Sequence, residues 1–381
     1  VRYQLLTACN WKLPPTPSEG PRSQKQEDFQ KFLQLIEWPE PPNPTSFMSS
    51  TSPKTTECTL IDPRTTYHVG ELTKVFIRAH DHHGHPKTYG GDYFQAKLHS
   101  PELKAGVTGS ITDHRNGSYT ATFPLSWPGI CQISISLVHS SEAIAILKAK
   151  RDTHDFKVID HSNPFYFIQS YMQQKSCLKG KVMYMFGDST LRQWWEYLVK
   201  FIPSLQRLDL HVVYAVGPLL ATDAEHGYLV QWRAHQRPLN MNRTHLQDLR
   251  YIANELDNIG GENEGLVVVI NCAAHFIFFP LKFYMKRIMG IRDAVARLLE
   301  RSPHTKVIIK SANTGFLPPI GSNWLTFQLD TLLRAVFSGL PVTILDTWQM
   351  TSCHRLPQTV HPDRIIVKNM LDLMLSFICP K

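Results

Sequence analysis

Residues 177–381 predict a three-layer α/β domain, and residues 55–152 ahead of it an antiparallel β-sandwich of immunoglobulin-like size. Two observations carry this reading. After residue 177, short continuous apolar runs alternate with amphipathic helical periods, as in a parallel sheet covered by helices on both faces. Between Cys58 and Lys150 the pattern instead alternates residue by residue, in runs broken by turn signals.

In chain order, residues 1–54 read as a proline-rich tail, with nine prolines between Pro14 and Pro53. One amphipathic patch interrupts it, with Phe29, Phe32, Leu33 and Ile36 at helical spacing. In the β region, LTKVFIRAHD, SYTATFPLSW and CQISISLVHS alternate, the last placing Ile133, Ile135 and Leu137 on one face. Turns at His83-Gly84, Gly90-Gly91, Asn116-Gly117 and Pro128-Gly129 separate the strands. Cys58 and Cys131 are candidates to bridge this domain. A linker occupies 153–176. The α/β domain then reads KVMYMF (strand), TLRQWWEYLVKFI (helix), HVVYAV (strand), RTHLQDLRYIANELDNI (helix), GLVVVINCA (strand) and FYMKRIMGIRDAVARLLERS (helix). It closes with TKVIIKSAN (strand), NWLTFQLDTLLRAVFSG (helix), PVTILDTW (strand) and DRIIVKNMLDLMLSFI (helix).

Composition narrows the function classes. Hydrophobic residues make up 43% and charged residues 19%, enough to bury a core. The formal charge of +8 comes without a basic stripe interleaved with aromatics, so nucleic acid is not an expected partner. Seven cysteines and no CxxC pair argue against a disulfide-built scaffold and a structural zinc site. The most apolar run, Leu266 to Leu281, contains Asn271 and His275 and is shorter than the ~20 residues of a membrane span, so no integral span is expected. The first residues lack the pattern of a signal segment. Sequons at Asn116 and Asn242 would be glycosylated in the secretory pathway.

In such sheets the ligand lies beyond the C-terminal strand ends, which directs attention to two places. The first strand closes on Phe186-Gly187-Asp188-Ser189-Thr190 with a helix starting at once, which puts Ser189 at a helix N-terminus. At the other end of the chain, His361 sits in a loop just before the last helix. A hydroxyl and an imidazole on one rim make a nucleophile and its base. His354 competes for the second role, and a helix-capping Asp188 or Ser189 is the bland alternative. Asp346, ending the last strand, is the available carboxylate. Gly187, with Asn271 and His275 in NCAAH, lies on the same rim as a candidate oxyanion or substrate contact, and Trp232 as a groove-lining residue; a buried polar pair satisfied by its neighbours is the alternative for Asn271 and His275. His80, His82, His83 and His85 with Asp81 fall in a hairpin turn and read as solvated residues, with no metal expected. Lys282, Lys286, Arg287 and Arg292 read as a solvated helix face.

MFGDSTLRQWWEYL together with TVHPDRIIVKNMLDLMLSFIC resembles the neurexophilin and PC-esterase domain (NXPE) family. The stretch from YGGDYFQAKLHS to SISLVHSSEA resembles that family's neurexophilin-like β-domain, so the likeness runs from about Thr55 to the C-terminus. It implies an SGNH-hydrolase-like (flavodoxin-like) α/β domain, residence in the secretory pathway (Golgi lumen or secreted), and O-acyl chemistry on glycans or glycoproteins. O-acetylation of sialic acid is the activity implied most directly, with no bound cofactor and acetyl-CoA as a possible donor. Ser189 would be the nucleophile and His361 the base. Three features depart from the family pattern. Gln358 stands where an Asp precedes the histidine by three residues, Ala273 stands where a Gly precedes the AHF-like motif, and the linker lacks the family's cysteine-bearing segment. These departures leave open a rival reading, a non-catalytic glycoprotein-binding module on a degenerate esterase scaffold.

Overall fold

A computed structural model describes residues 24–42, 46–153, 178–238, 250–260, 264–315, 321–354 and 358–379. The linker after Thr153, the sequon at Asn242, and Cys9 and Cys177 lie outside the described residues.

The N-terminal half is antiparallel, as the alternating pattern predicts. Strands β1 (Glu57–Ile61), β2 (Leu72–Arg78), β3 (Tyr93–Ser100), β4 (Ala105–Asp113), β5 (Ser118–Pro124) and β6 (Gln132–His139) lie in the order β1-β2-β5-β4-β3-β6. One ladder runs through all six, because β4 pairs with β3 over Ala105–Gly109 and with β5 over Ser110–Asp113. The sheet folds across that strand, so Phe94 of β3 meets Tyr119 of β5 with ring centroids 4.9 Å apart. Val75, Ile77, Leu98, Ala121 and Phe123 complete the core. Gly109 is required at the fold, since a Cβ there would lie 2.4 Å from the Phe123 ring.

Three expectations for this half are corrected. Cys58 and Cys131 are both free thiols, so no bridge joins them, whereas Cys379 at the far end of the chain is disulfide-bonded. After β6 the strand pattern stops, and Ser141–Thr153 forms helix α2. This segment is rich in helix formers (SEAIAILKAKRDT), and it buries Ile144 and Arg151 against the α/β half, where the Arg151 guanidinium donates to Gln328 Oε1. The proline-rich tail, too, is more than a spacer. Its helix α1 (Gln24–Gln34) packs Phe29, Phe32 and Leu33 on the α/β core, Ile36 is buried there, and Trp38 Nε1–H reaches across to donate to Gly91 O at 2.7 Å.

The C-terminal half is a sheet of seven strands. In chain order these are β7 (Val182–Gly187), β8 (Gln206–Leu208), β9 (Leu219–Asp223), β10 (Tyr228–Ala234), β11 (Leu266–Ile270), β12 (Lys306–Lys310) and β13 (Thr343–Leu345). Across the sheet they run β13-β12-β11-β7-β10-β9-β8, the first five parallel and the last two antiparallel. Every residue of β11 is buried, as befits a central strand reading LVVVI. Helices α4 (Ile252–Asn258), α5 (Leu281–Arg301) and α6 (Asn323–Phe337) cover one face. Helices α3 (Ser189–Phe201) and α8 (Arg364–Ile378) cover the other, and the short α7 (Thr347–Ser352) follows β13. This is the expected three-layer α/β arrangement.

One strand is reassigned. HVVYAV, which reads as the second strand of this half, forms none, and the strand beside β7 is YLVQWRA, whose alternate residues are buried against α3 and α8. His211 to Tyr214 stay exposed, with Val213 at 70%. β-Branched content alone does not make a strand when the segment has no buried face to present. The basic cluster on α5 is likewise only partly solvated, because Arg287 lies over the Tyr251 ring at 4.2 Å and Arg292 Nε donates to Val336 O at 2.9 Å.

Candidate active site

The turn from β7 into α3 is fixed before any chemistry is considered. Gly187 lies so close to β11 that a Cβ would meet Asn271 O at 2.8 Å. Asp188 is the N-cap, its Oδ1 accepting from Thr190 N at 2.9 Å and Thr190 Oγ1 at 2.6 Å, and its Oδ2 accepting from Ala274 N at 3.2 Å. The cap reading of Asp188 is therefore correct, and it frees Ser189 for another task. α3 buries Leu191, Trp194, Trp195 and Leu198, which locks its register and the direction of Ser189.

Across the rim, His361 Nε2 lies 2.7 Å from Ser189 Oγ, although the two residues are 172 apart in sequence. The loop that carries His361 is held on both sides by side-chain amides: Gln193 Nε2 donates to Pro362 O at 2.9 Å and Asn313 Nδ2 to Val360 O at 2.9 Å. Thr359 Oγ1 donates to His361 O at 2.8 Å. The competing His354 is placed elsewhere, its carbonyl accepting from Lys97 Nζ of β3 at 3.3 Å.

The other predicted residues divide. Asp346 is not beside His361. It caps α7 through Gln349 N and pairs with Arg334 at 2.7 Å, so the expected carboxylate partner is corrected. Gln358 does not orient the imidazole either, because its amide donates to Ser352 O and accepts from Asn323 Nδ2. Asn271 is buried at the strand end as expected, but its Nδ2 donates to Lys310 O and Ser311 O, and so does not point at an incoming oxyanion. The backbone N–H of Ser189, at the start of α3, has no protein partner among the described residues and is the better-placed donor. Trp232 is sealed in the core beneath α3 and lines no groove. His275 is on the rim, with Nδ1 2.9 Å from Nε2 of the buried His235. In the N-terminal half Asn116 is exposed in its turn, and Asp81 Oδ1 accepts from the N–H groups of His83 and His85.

Sequence reading missed Lys310. This lysine ends β12 fully buried and donates to Asn313 Oδ1 at 2.8 Å. Burial pushes it down to about 8, against the pull of Asp188 and Asp330. Burial alone would raise Asp188, but His275, Lys310 and the Thr190 hydroxyl hold its carboxyl well below the usual range. The signal for Lys310 was a charge at the end of the apolar run KVIIK, which has to be compensated when the strand is buried.

His361 is lowered from its ordinary 6.5, chiefly by desolvation where the ring leans on the rim, with Asp188 pulling the other way. A base must be unprotonated to work. Lowering its pKa keeps it unprotonated to a lower pH, so the acid limb of any hydrolytic kcat/KM profile is expected below pH 6.5. A limb at or above that value, measured with an aryl acetate, would contradict the environment described for the ring.

Residues 161–379 match the family described as NXPE family member 4-like, C-terminal domain. The chain belongs to the NXPE family. Residues 26–160 match Neurexophilin, so the two halves of this NXPE chain correspond to two family descriptions. The boundary between them falls close to where α2 ends at Thr153. Among solved structures, the chain is similar to a family 2 carbohydrate esterase with a carbohydrate-binding domain from Corynascus thermopiles (Myceliophthora fergusii), at 11% identity over 85% of this chain and 98% of that one, with a TM-score of 0.31. It is also similar to a family 2 carbohydrate esterase from Clostridium thermocellum in complex with cellohexaose (11% identity, 81% and 92% covered, TM-score 0.29). A third, from Cellvibrio japonicus, is 10% identical over 85% and 98%, with a TM-score of 0.26. At scores this low, the fold is read from the chain's own sheet.

Proposed function

We propose that this NXPE-family chain is a Ser-His acyl esterase or acyltransferase acting on glycans. The observation behind it is the 2.7 Å contact between Ser189 Oγ and His361 Nε2 over the C-terminal strand ends. With the imidazole proton on Nδ1, Ser189 donates to Nε2 and loses its proton there as Oγ attacks the ester carbonyl. The alcohol leaves with the proton from the imidazolium, and the acyl group stays on Oγ. A second alcohol, activated by the same ring, then takes the acyl group. Water in that place gives hydrolysis, and a sugar hydroxyl gives transfer. The glycan, and sialic acid O-acetylation in particular, comes from the family resemblance, as do acetyl-CoA as donor and a secretory-pathway location. No described helix is long and apolar enough to cross a membrane.

The reading of the N-terminal half as an immunoglobulin-like sandwich draws support from its strand order. β1-β2-β5-β4 followed by β3-β6 has the sequence of the two sheets of that fold, here joined along β3 and β4.

A second reading, a binding module with an idle esterase scaffold, is favoured by one observation: Gln358 and Asp346 both face away from His361. A fluorophosphonate probe decides between the two. Labelling of native protein that is lost in Ser189→Ala is the expected result. No labelling of correctly folded native protein would leave the binding module.

A further inference from the structure

Arg192 follows Ser189 by three residues on α3, so the two side chains leave the same helix face with Cβ atoms about 5–6 Å apart. Its Nε donates to Glu196 Oε1 at 3.1 Å. Its guanidinium carbon lies 5.3 Å from the Tyr214 ring centroid and 5.5 Å from that of Trp232. Tyr214 is itself fixed, its hydroxyl donating to the same Glu196 oxygen at 2.7 Å. One edge of the guanidinium and its neighbouring rings are thus held, while its two Nη groups make no hydrogen bond among the described residues. Arg207 adds a second cation, 5.1 Å from the Tyr214 ring. The charge of Arg192 reaches the reacting pair, being one of the influences that lower His361.

An ordinary solvated ion pair four residues apart on a helix contributes about 0.3–0.5 kcal/mol and needs no aromatic walls. A guanidinium held at Nε with its Nη edge uncommitted is suited to two parallel hydrogen bonds to a carboxylate. Resting on the Ser-His reading, we propose that Arg192 is a specificity-determining residue, binding the carboxylate of an acidic sugar so that a ring hydroxyl faces Ser189. Glu196 balances half of the cluster's charge and holds the Nε edge of Arg192.

Binding read without turnover tests this in the Ser189→Ala background, using the methyl glycoside of sialic acid, its methyl ester, and inorganic phosphate as competitor. The acid is expected to bind about 10- to 100-fold more tightly than the ester, as suits a charge-assisted pair. Arg192→Gln should erase that ratio, and Arg192→Lys, a point charge without the fork, should keep only part of it. Equal binding of acid and ester, or a ratio that survives Arg192→Gln, overturns the proposal. So does phosphate that displaces the acid at matching concentration, since it would assign the fork to a phosphate-bearing donor. Fluorophosphonate labelling that persists in Ser189→Ala would overturn the Ser-His reading and leave this measurement standing.

Discussion

His361→Ala is expected to lower acyl transfer and hydrolysis by about 10²–10⁴-fold, the range that a positioned general base contributes. The lower end is the better expectation. In a serine protease, losing the carboxylate behind the histidine costs on the order of 10⁴. Among the described residues neither candidate stands there, since Asp346 pairs with Arg334 and Gln358 bonds to Ser352 O. Among the described residues, the anions that favour the imidazolium formed during attack are Asp188 and Glu196, acting through their field. Stability should hardly move, because His361 is exposed and its backbone is held by Gln193, Asn313 and Thr359 through neighbouring carbonyls and its own. Circular dichroism paired with turnover of an aryl acetate checks both halves. Full turnover in a folded His361→Ala protein would mean that the proton goes elsewhere, and His275 on the same rim would be the next base to replace.

Much of this site was legible because two local patterns have few alternatives. A strand ending in Gly-Asp-Ser with an amphipathic helix directly behind it leaves Ser189 nowhere but the rim. A histidine just ahead of the last helix returns to that rim because parallel strands all end on one side. Periodicity found α3, α5, α6 and α8, whose apolar faces are unambiguous. What failed was whatever depends on partners far away in sequence. Asp346 stands at a strand end, where a triad carboxylate would, but Arg334 on α6 reaches it first. HVVYAV and YLVQWRA have similar local appeal, and only packing against α3 and α8 chooses between them. The docking of α1 and α2 on the α/β half, and the amides of Gln193 and Asn313 that steer the histidine loop, leave no trace in local spacing. Neither does the buried charge of Lys310 announce which carboxylate answers it.

Asp188 answers that charge through its field and not through a direct ion pair, since Lys310 Nζ donates to Asn313 Oδ1. Asp188→Asn should cost about 3–5 kcal/mol of stability, the usual penalty for removing one member of a buried charged group. The asparagine can still accept from Thr190 N, but its NH₂ would confront Ala274 N–H, which now donates to Oδ2. Lys310, fully buried at the end of β12, would keep Asp330 as its remaining anion, and Asp330 already binds Arg334 at 2.7 Å. Lys310→Met removes the ammonium along with its bond to Asn313 Oδ1. In the double variant neither charge is stranded, so the loss should fall short of the sum by about 1–3 kcal/mol, the coupling typical of groups in one network. Urea unfolding of the four proteins at pH 7, followed by the fluorescence of the buried Trp194, Trp195, Trp232 and Trp324, measures it. The sign of the pH effect follows from the lowered Asp188 carboxyl. Its contribution is present above the unfolded value of about 3.9 and fades as pH falls through the depressed folded value, so at pH 7 the native protein has all of it and Asp188→Asn has none. Additivity within about 0.5 kcal/mol would show that Asp188 and Lys310 do not share a field, and the turn that presents Ser189 would then owe its shape to the cap alone.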